Sequence, residues 1–79
     1  MTERIKLIWD FRGPNAKRIA EHHAEHLSEF SAAEQLRNSF SGCEEITPMH
    51  HCAFLVVEKE LMETLRVTLK PHRGQLFDV

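Results

Sequence analysis

Ala53-Phe54-Leu55-Val56-Val57 is the longest apolar run in the chain. Five consecutive apolar residues put hydrophobic side chains on both faces of an extended strand. Such a strand belongs at the centre of a sheet, where neither face meets water. Working outward, Cys43 to Thr47 and His51 to Glu58 read as two strands around Pro48-Met49. After them, Leu61, Met62, Leu65 and Leu69 recur at helical spacing, so Lys59 to Leu69 reads as a helix. Lys70-Pro71 stops it, His72-Arg73-Gly74 turns the chain, and Gln75 to Val79 reads as a short final strand.

Upstream, Ile5-Lys6-Leu7-Ile8-Trp9-Asp10-Phe11 alternates with period two. Ile5, Leu7, Trp9 and Phe11 make one apolar face; Lys6, Ile8 and Asp10 make a mixed one, as in a sheet covered on one side. Arg12-Gly13-Pro14 breaks the strand and sets up a helix start, where proline's missing N–H costs nothing. The helix from Pro14 to about Phe30 carries the stripe Ala16, Ile19, Ala20, His23, Leu27 and Phe30. Ser31-Ala32-Ala33-Glu34 has the spacing of a capping box and predicts either a second short helix, to about Phe40, or a kinked continuation. Ser41-Gly42 ends it.

The resulting order β-α-β-β-α-β is the split βαβ, or ferredoxin-like, arrangement. Right-handed crossovers place the first and third strands at the centre of an antiparallel four-stranded sheet, with the helices on one face. The other face is expected to expose Ile8 and Leu55, with Val57 and Ile46 as further candidates. At the level of fold the chain resembles small bacterial ferredoxin-like proteins. That resemblance implies an architecture and no activity, because the fold hosts unrelated functions.

Composition narrows the field. The 79 residues make one domain, 1–79; they are 42% hydrophobic and 28% charged, an ordinary globular balance. A formal charge of −2 offers no basic field for nucleic acid. The apolar run is far shorter than the ~20 residues of a membrane span, and Met1-Thr2-Glu3-Arg4 has no signal-peptide character. A cytoplasmic protein is expected, with Cys43 and Cys52 as reduced thiols.

Six histidines are the compositional oddity. His22-His23-Ala24-Glu25-His26 has the H-x-x-E-H spacing of inverted zinc peptidases, with Glu25 in the place of a general base. Those enzymes are large and draw a third ligand from a distant second helix, for which this chain has no candidate. A non-catalytic transition-metal site using His22, His26 and Glu29 is a stronger reading than a hydrolase; the plain reading, a solvated helix edge, outweighs both. Zinc, nickel or copper would suit imidazole, with affinity collapsing below about pH 6. No other cofactor is expected. His23, inside the apolar stripe, is either a satisfied core histidine or a polar group in a pocket.

Two further sites are legible. If Thr47-Pro48 make a two-residue turn, Cys43 faces Cys52 and Glu45 faces His50, a set able to hold zinc or form a disulfide. Arg12 and Asn15, with His23, mark a possible anion or ligand site where a strand feeds a helix N-terminus. Acylphosphatases share the fold and cradle an anion in that loop, but their longer glycine-containing signature and second-strand asparagine are missing here. The Cys-x-x-Cys of copper chaperones and the strand motifs of RNA-recognition domains are also missing.

Two functions follow as expectations. The first is a non-enzymatic homodimeric binding or regulatory protein, assembled through an apolar sheet face or edge strands, with an unidentified small ligand or protein partner. The second is a transition-metal binding protein built on His22 and His26.

Overall fold

The apolar run lies inside a four-stranded sheet. The computed structural model describes residues 3–36 and 38–77. Its elements are β1 (Arg4–Arg12), α1 (Ala16–Ala33), β2 (Phe40–Thr47), β3 (His50–Glu58), a 3-10 turn (Lys59–Leu61), α2 (Met62–Leu69) and β4 (Arg73–Phe77). The strand order is β2-β3-β1-β4, and every neighbouring pair is antiparallel. The protein is therefore α+β, a four-stranded antiparallel sheet with two helices. The expected last strand starts two residues earlier than read, and its residues 78 and 79 lie outside the described residues. Among the described residues, no helix is long and apolar enough to cross a membrane.

The period-two pattern of β1 sets the core. Ile5, Leu7 and Trp9 stand opposite Val57, Leu55 and Ala53 of β3. These six join Ala24 and Leu27 of α1 and Leu65 of α2 in one buried cluster. Trp9 also donates its indole N–H to the Leu69 carbonyl at 3.1 Å, satisfying a free C=O in the last turn of α2 and tying that helix to the sheet. In α1 the buried residues are Ala16, Ala20, Ala24 and Leu27, so the packed face is rotated away from Ile19, which is 47% exposed. Small alanines allow close approach, and the Ser41 hydroxyl donates to the Ala24 carbonyl at 3.2 Å.

Three expectations are corrected. The capping box does not form, because α1 runs through Ser31 to Ala33 and packing of Leu36 continues the core. The helix ends in a Schellman turn: Gln35 takes a left-handed φ of 53°, Gln35 N–H donates to Ala32 O, and Leu36 N–H donates to Ser31 O. β2 then begins at Phe40, so the expected second helix is a turn; its residue 37 lies outside the described residues.

The hairpin register is also different. Cys43 stands opposite Ala53, Glu44 opposite Cys52, Glu45 opposite His51 and Thr47 opposite His50, with a bulge between Glu45 and Thr47. A one-residue offset reverses faces. Cys43 and Cys52 therefore point to opposite sides of the sheet, and the Cys43–Cys52–His50 zinc or disulfide set is not assembled.

Finally, the face away from the helices is not the expected one. Leu55 and Val57 lie under the helices, and Ile46 is half-exposed at the bulge. Ile8, Cys52 and Val56 do point to the open face, yet each is 2% exposed or less. Longer side chains roof them over. Phe40 and Phe77 reach in from the two edge strands to within 5.5 Å of each other, and Phe40 also meets Phe54 edge-on at 6.1 Å. The Arg4 guanidinium sits over Phe40 and Phe77, at 5.7 and 5.1 Å, and the Lys6 ammonium lies 4.4 Å from the Phe54 ring. Lys6 is also ion-paired with Glu44. Gly42 leaves room for Phe54: a Cβ there would stand 2.8 Å from its ring edge.

Candidate metal centre

An α-helix places residues four apart on the same face, one turn above the other. His22 and His26 of α1 use that spacing on its solvent side. Their rings lie 4.5 Å apart, and their Nε2 atoms approach to 3.1 Å. Behind His26, Nδ1 stands 3.3 Å from Glu29 Oε1. One proton arrangement satisfies every contact: His26 donates Nδ1–H to Glu29, and its Nε2 accepts from His22 Nε2–H. Two imidazole nitrogens on a tetrahedral zinc, each ~2.0–2.1 Å from the metal, stand roughly 3.3 Å apart. Reaching that spacing changes the separation of the two nitrogens by only a few tenths of an ångström, with the rings turning to aim their lone pairs at the metal. Glu29 takes the position of the carboxylate that orients a ligating histidine through its other nitrogen, rather than that of a third ligand. Among the described residues no three His, Cys, Asp or Glu side chains are grouped to hold a metal; His22 and His26 bring two imidazole nitrogens together in a clamp.

His23 faces the other way, into the gap between α1 and β1. Its ring packs against Trp9 at 5.0 Å and Phe11 at 5.5 Å. Nε2 is buried without a hydrogen-bond partner. Burial, and then the nearby His26 and His72, hold His23 below the usual histidine range. His23 is thus an unsatisfied packing residue. His23→Leu is expected to raise stability by about 1 kcal/mol, since it removes an unpaired buried acceptor at similar volume. Because folding lowers the proton affinity of His23, its cost grows as pH falls below ~6.5, where the unfolded chain takes up a proton more readily. Denaturant unfolding at pH 5.5 and 8 checks this; a gain that does not widen at the lower pH contradicts it.

The other candidate ligand residues are spread out. Arg12 is exposed at the end of β1, opposite His50, on the open face, whereas His23 packs on the helix face. Asn15 precedes α1 with no side-chain cap bond, and the Gly13 N–H is taken by the Met49 carbonyl at 2.8 Å. Arg12, Asn15 and His23 are therefore not brought together. His50 and His51 also diverge: His51 is buried on the helix side with Nε2 3.7 Å from Glu45, while His50 donates its Nε2–H to the Asp10 carboxylate.

Asp10 centres a network that the sequence reading missed. Arg73 donates to both of its carboxylate oxygens, at 3.0 and 3.1 Å, and His50 Nε2 lies 2.9 Å from Oδ1. The Arg73 hydrogen bond first, aided by His50 against the opposing effect of burial, holds the Asp10 carboxyl far below the usual carboxylate range. His72 extends the β1–β4 ladder beyond its last pair. Its backbone N–H donates to Ile8 O, and its ring Nδ1 accepts the Asp10 N–H, both at 2.9 Å. Cys52 lies opposite Asp10, and burial, with Glu44 and Asp10 nearby, pushes its thiol up. A protonated, buried thiol is a poor nucleophile. The only signal for this network was a lone carboxylate on the mixed face of the first strand.

No family model, curated protein or solved structure matches the chain.

Proposed function

We propose that the chain is a ferredoxin-like domain that works by binding rather than by catalysis, in the cytoplasm, and that its ligand is a divalent transition metal held by His22 and His26. The carrying observation is the 3.1 Å approach of the two Nε2 atoms, with Glu29 behind His26. An intact helix presents both nitrogens to solvent, so a metal gains its ligands without rearranging the fold. Zinc, nickel and copper fit the donor type; oxygen-seeking calcium and magnesium do not.

Support for a non-enzymatic role comes from the Asp10 cluster. Its carboxylate is fully engaged by Arg73 and His50, and the adjacent thiol is kept protonated. A homodimer is retained in this reading, but not through an apolar sheet face, since Ile8 and Val56 already lie beneath the chain's own aromatic side chains.

The test is titration of the untagged protein with Zn2+ or Ni2+ against a chromophoric chelator. Binding is expected to disappear in His22→Ala and His26→Ala, and to weaken roughly 10–100-fold in Glu29→Gln. Affinity is expected to fall on acidification, as protons compete for the same nitrogens. Equal binding by wild type and His22→Ala would sink the reading.

A further inference from the structure

Zinc in a closed protein site takes four ligands, and among the described residues the His22–His26 pair offers two. We propose that the clamp is one half of a metal site shared by two copies of this chain, with His22 and His26 from each copy completing a four-nitrogen shell. The inference rests on the metal reading above and adds to it a partner and an assembly.

The surface around the clamp suits a second copy of itself. A two-fold axis through the metal runs α1 of one copy antiparallel to α1 of the other, centred on Ala24, so that position 19 faces position 29 and position 18 faces position 30. The strip at the contact is Asn15, Ile19, His22, His26 and Glu29 by helix arithmetic. Arg18, before the clamp, then falls beside Glu29 of the second copy, and the symmetry makes that ion pair twice. Ile19, 47% exposed, gains an apolar neighbour in the outer edge of Phe30 of the second copy, a ring that otherwise packs against its own core. Arg18 precedes the clamp and Glu29 follows it along the same edge of the contact strip, while Glu21 and Glu25 sit further to that side and Lys17 lies roughly 160° round the helix. Antiparallel packing therefore opposes unlike charges and unlike helix ends; parallel packing would oppose like ones. His22 and His26 are exposed on the outer side of the helix, clear of the sheet that α1 covers.

Native mass spectrometry of untagged protein with half an equivalent of Zn2+ per chain tests this. The expected species has twice the 9.2 kDa chain mass and carries one zinc. It should return to single chains with EDTA, and His22→Ala and His26→Ala should remain monomeric. Arg18→Glu, an exposed change outside the clamp, should weaken the zinc-loaded dimer about tenfold, by losing two ion pairs and adding repulsion. Zinc bound at one per chain without dimerisation overturns the shared site and leaves the metal reading standing. No zinc retained at all overturns both. A dimer that survives EDTA overturns the metal bridge, and a dimer indifferent to Arg18→Glu overturns the antiparallel packing.

Discussion

Replacing Phe54 by alanine is expected to destabilise the domain by about 3 kcal/mol, a large share of the margin of so small a fold. The ring is only half-buried, which by itself predicts less. Its position accounts for the rest. It fits the space left by Gly42, meets Phe40 edge-on, and carries the Lys6 ammonium on its face. Phe40 in turn touches Phe77 from the opposite edge of the sheet. Removing Phe54 takes the middle out of this roof and wets Val56 and Ile8, which no helix covers. Urea unfolding of wild type and Phe54→Ala gives the number directly. A cost below about 1 kcal/mol would mean that the roof contributes little, and the case for an open, partner-seeking sheet face would return.

The Asp10→Asn substitution is expected to cost about 2 kcal/mol at neutral pH. The amide keeps the shape but loses the charge that draws in both Arg73 hydrogen bonds and the His50 contact. The side chain is 17% exposed, so solvent screening trims this effect without abolishing it. Its pH dependence has a definite sign. The folded carboxyl titrates far below its unfolded value of ~3.9, so its stabilisation is complete above that value and is lost as pH falls below it. Wild-type and Asp10→Asn stabilities should therefore differ most at neutral pH and converge towards pH 2. Unfolding midpoints at pH 7, 4 and 2.5 test the convergence; a gap that stays constant would assign the loss to packing instead.

Much of the architecture was legible before any coordinates. Ile5, Leu7, Trp9 and Phe11 identified the covered face of β1, and the run Ala53–Val57 identified an interior strand. The order of elements was read correctly apart from the segment after Ser31. That segment misled because a Ser-x-x-Glu spacing serves equally at a helix start or inside a helix. What decided was Leu36, drawn to the core and closing a Schellman turn around a left-handed Gln35. The same burial rotated α1 towards Ala24 and left Ile19 exposed, a choice between neighbouring apolar residues that a hydropathy stripe does not resolve.

The site divides along the same line. His22, His26 and Glu29 lie within two turns of one helix, so their proximity was written in their spacing, and only Glu29's part, behind His26 rather than beside it, needed the structure. The Asp10 network had no such local signature. Asp10 is 40 residues from His50 and 63 from Arg73 along the chain, and they meet only because β1 lies between β3 and β4. The cysteines fell on opposite faces for a related reason: one bulge near Thr47 set the β2–β3 register, and side chains change faces with every residue. Periodicity reports which face of an element seeks cover, because burial acts on each element's own surface. Which polar groups come to share that surface depends on strand order and register, set by the packing of the whole chain.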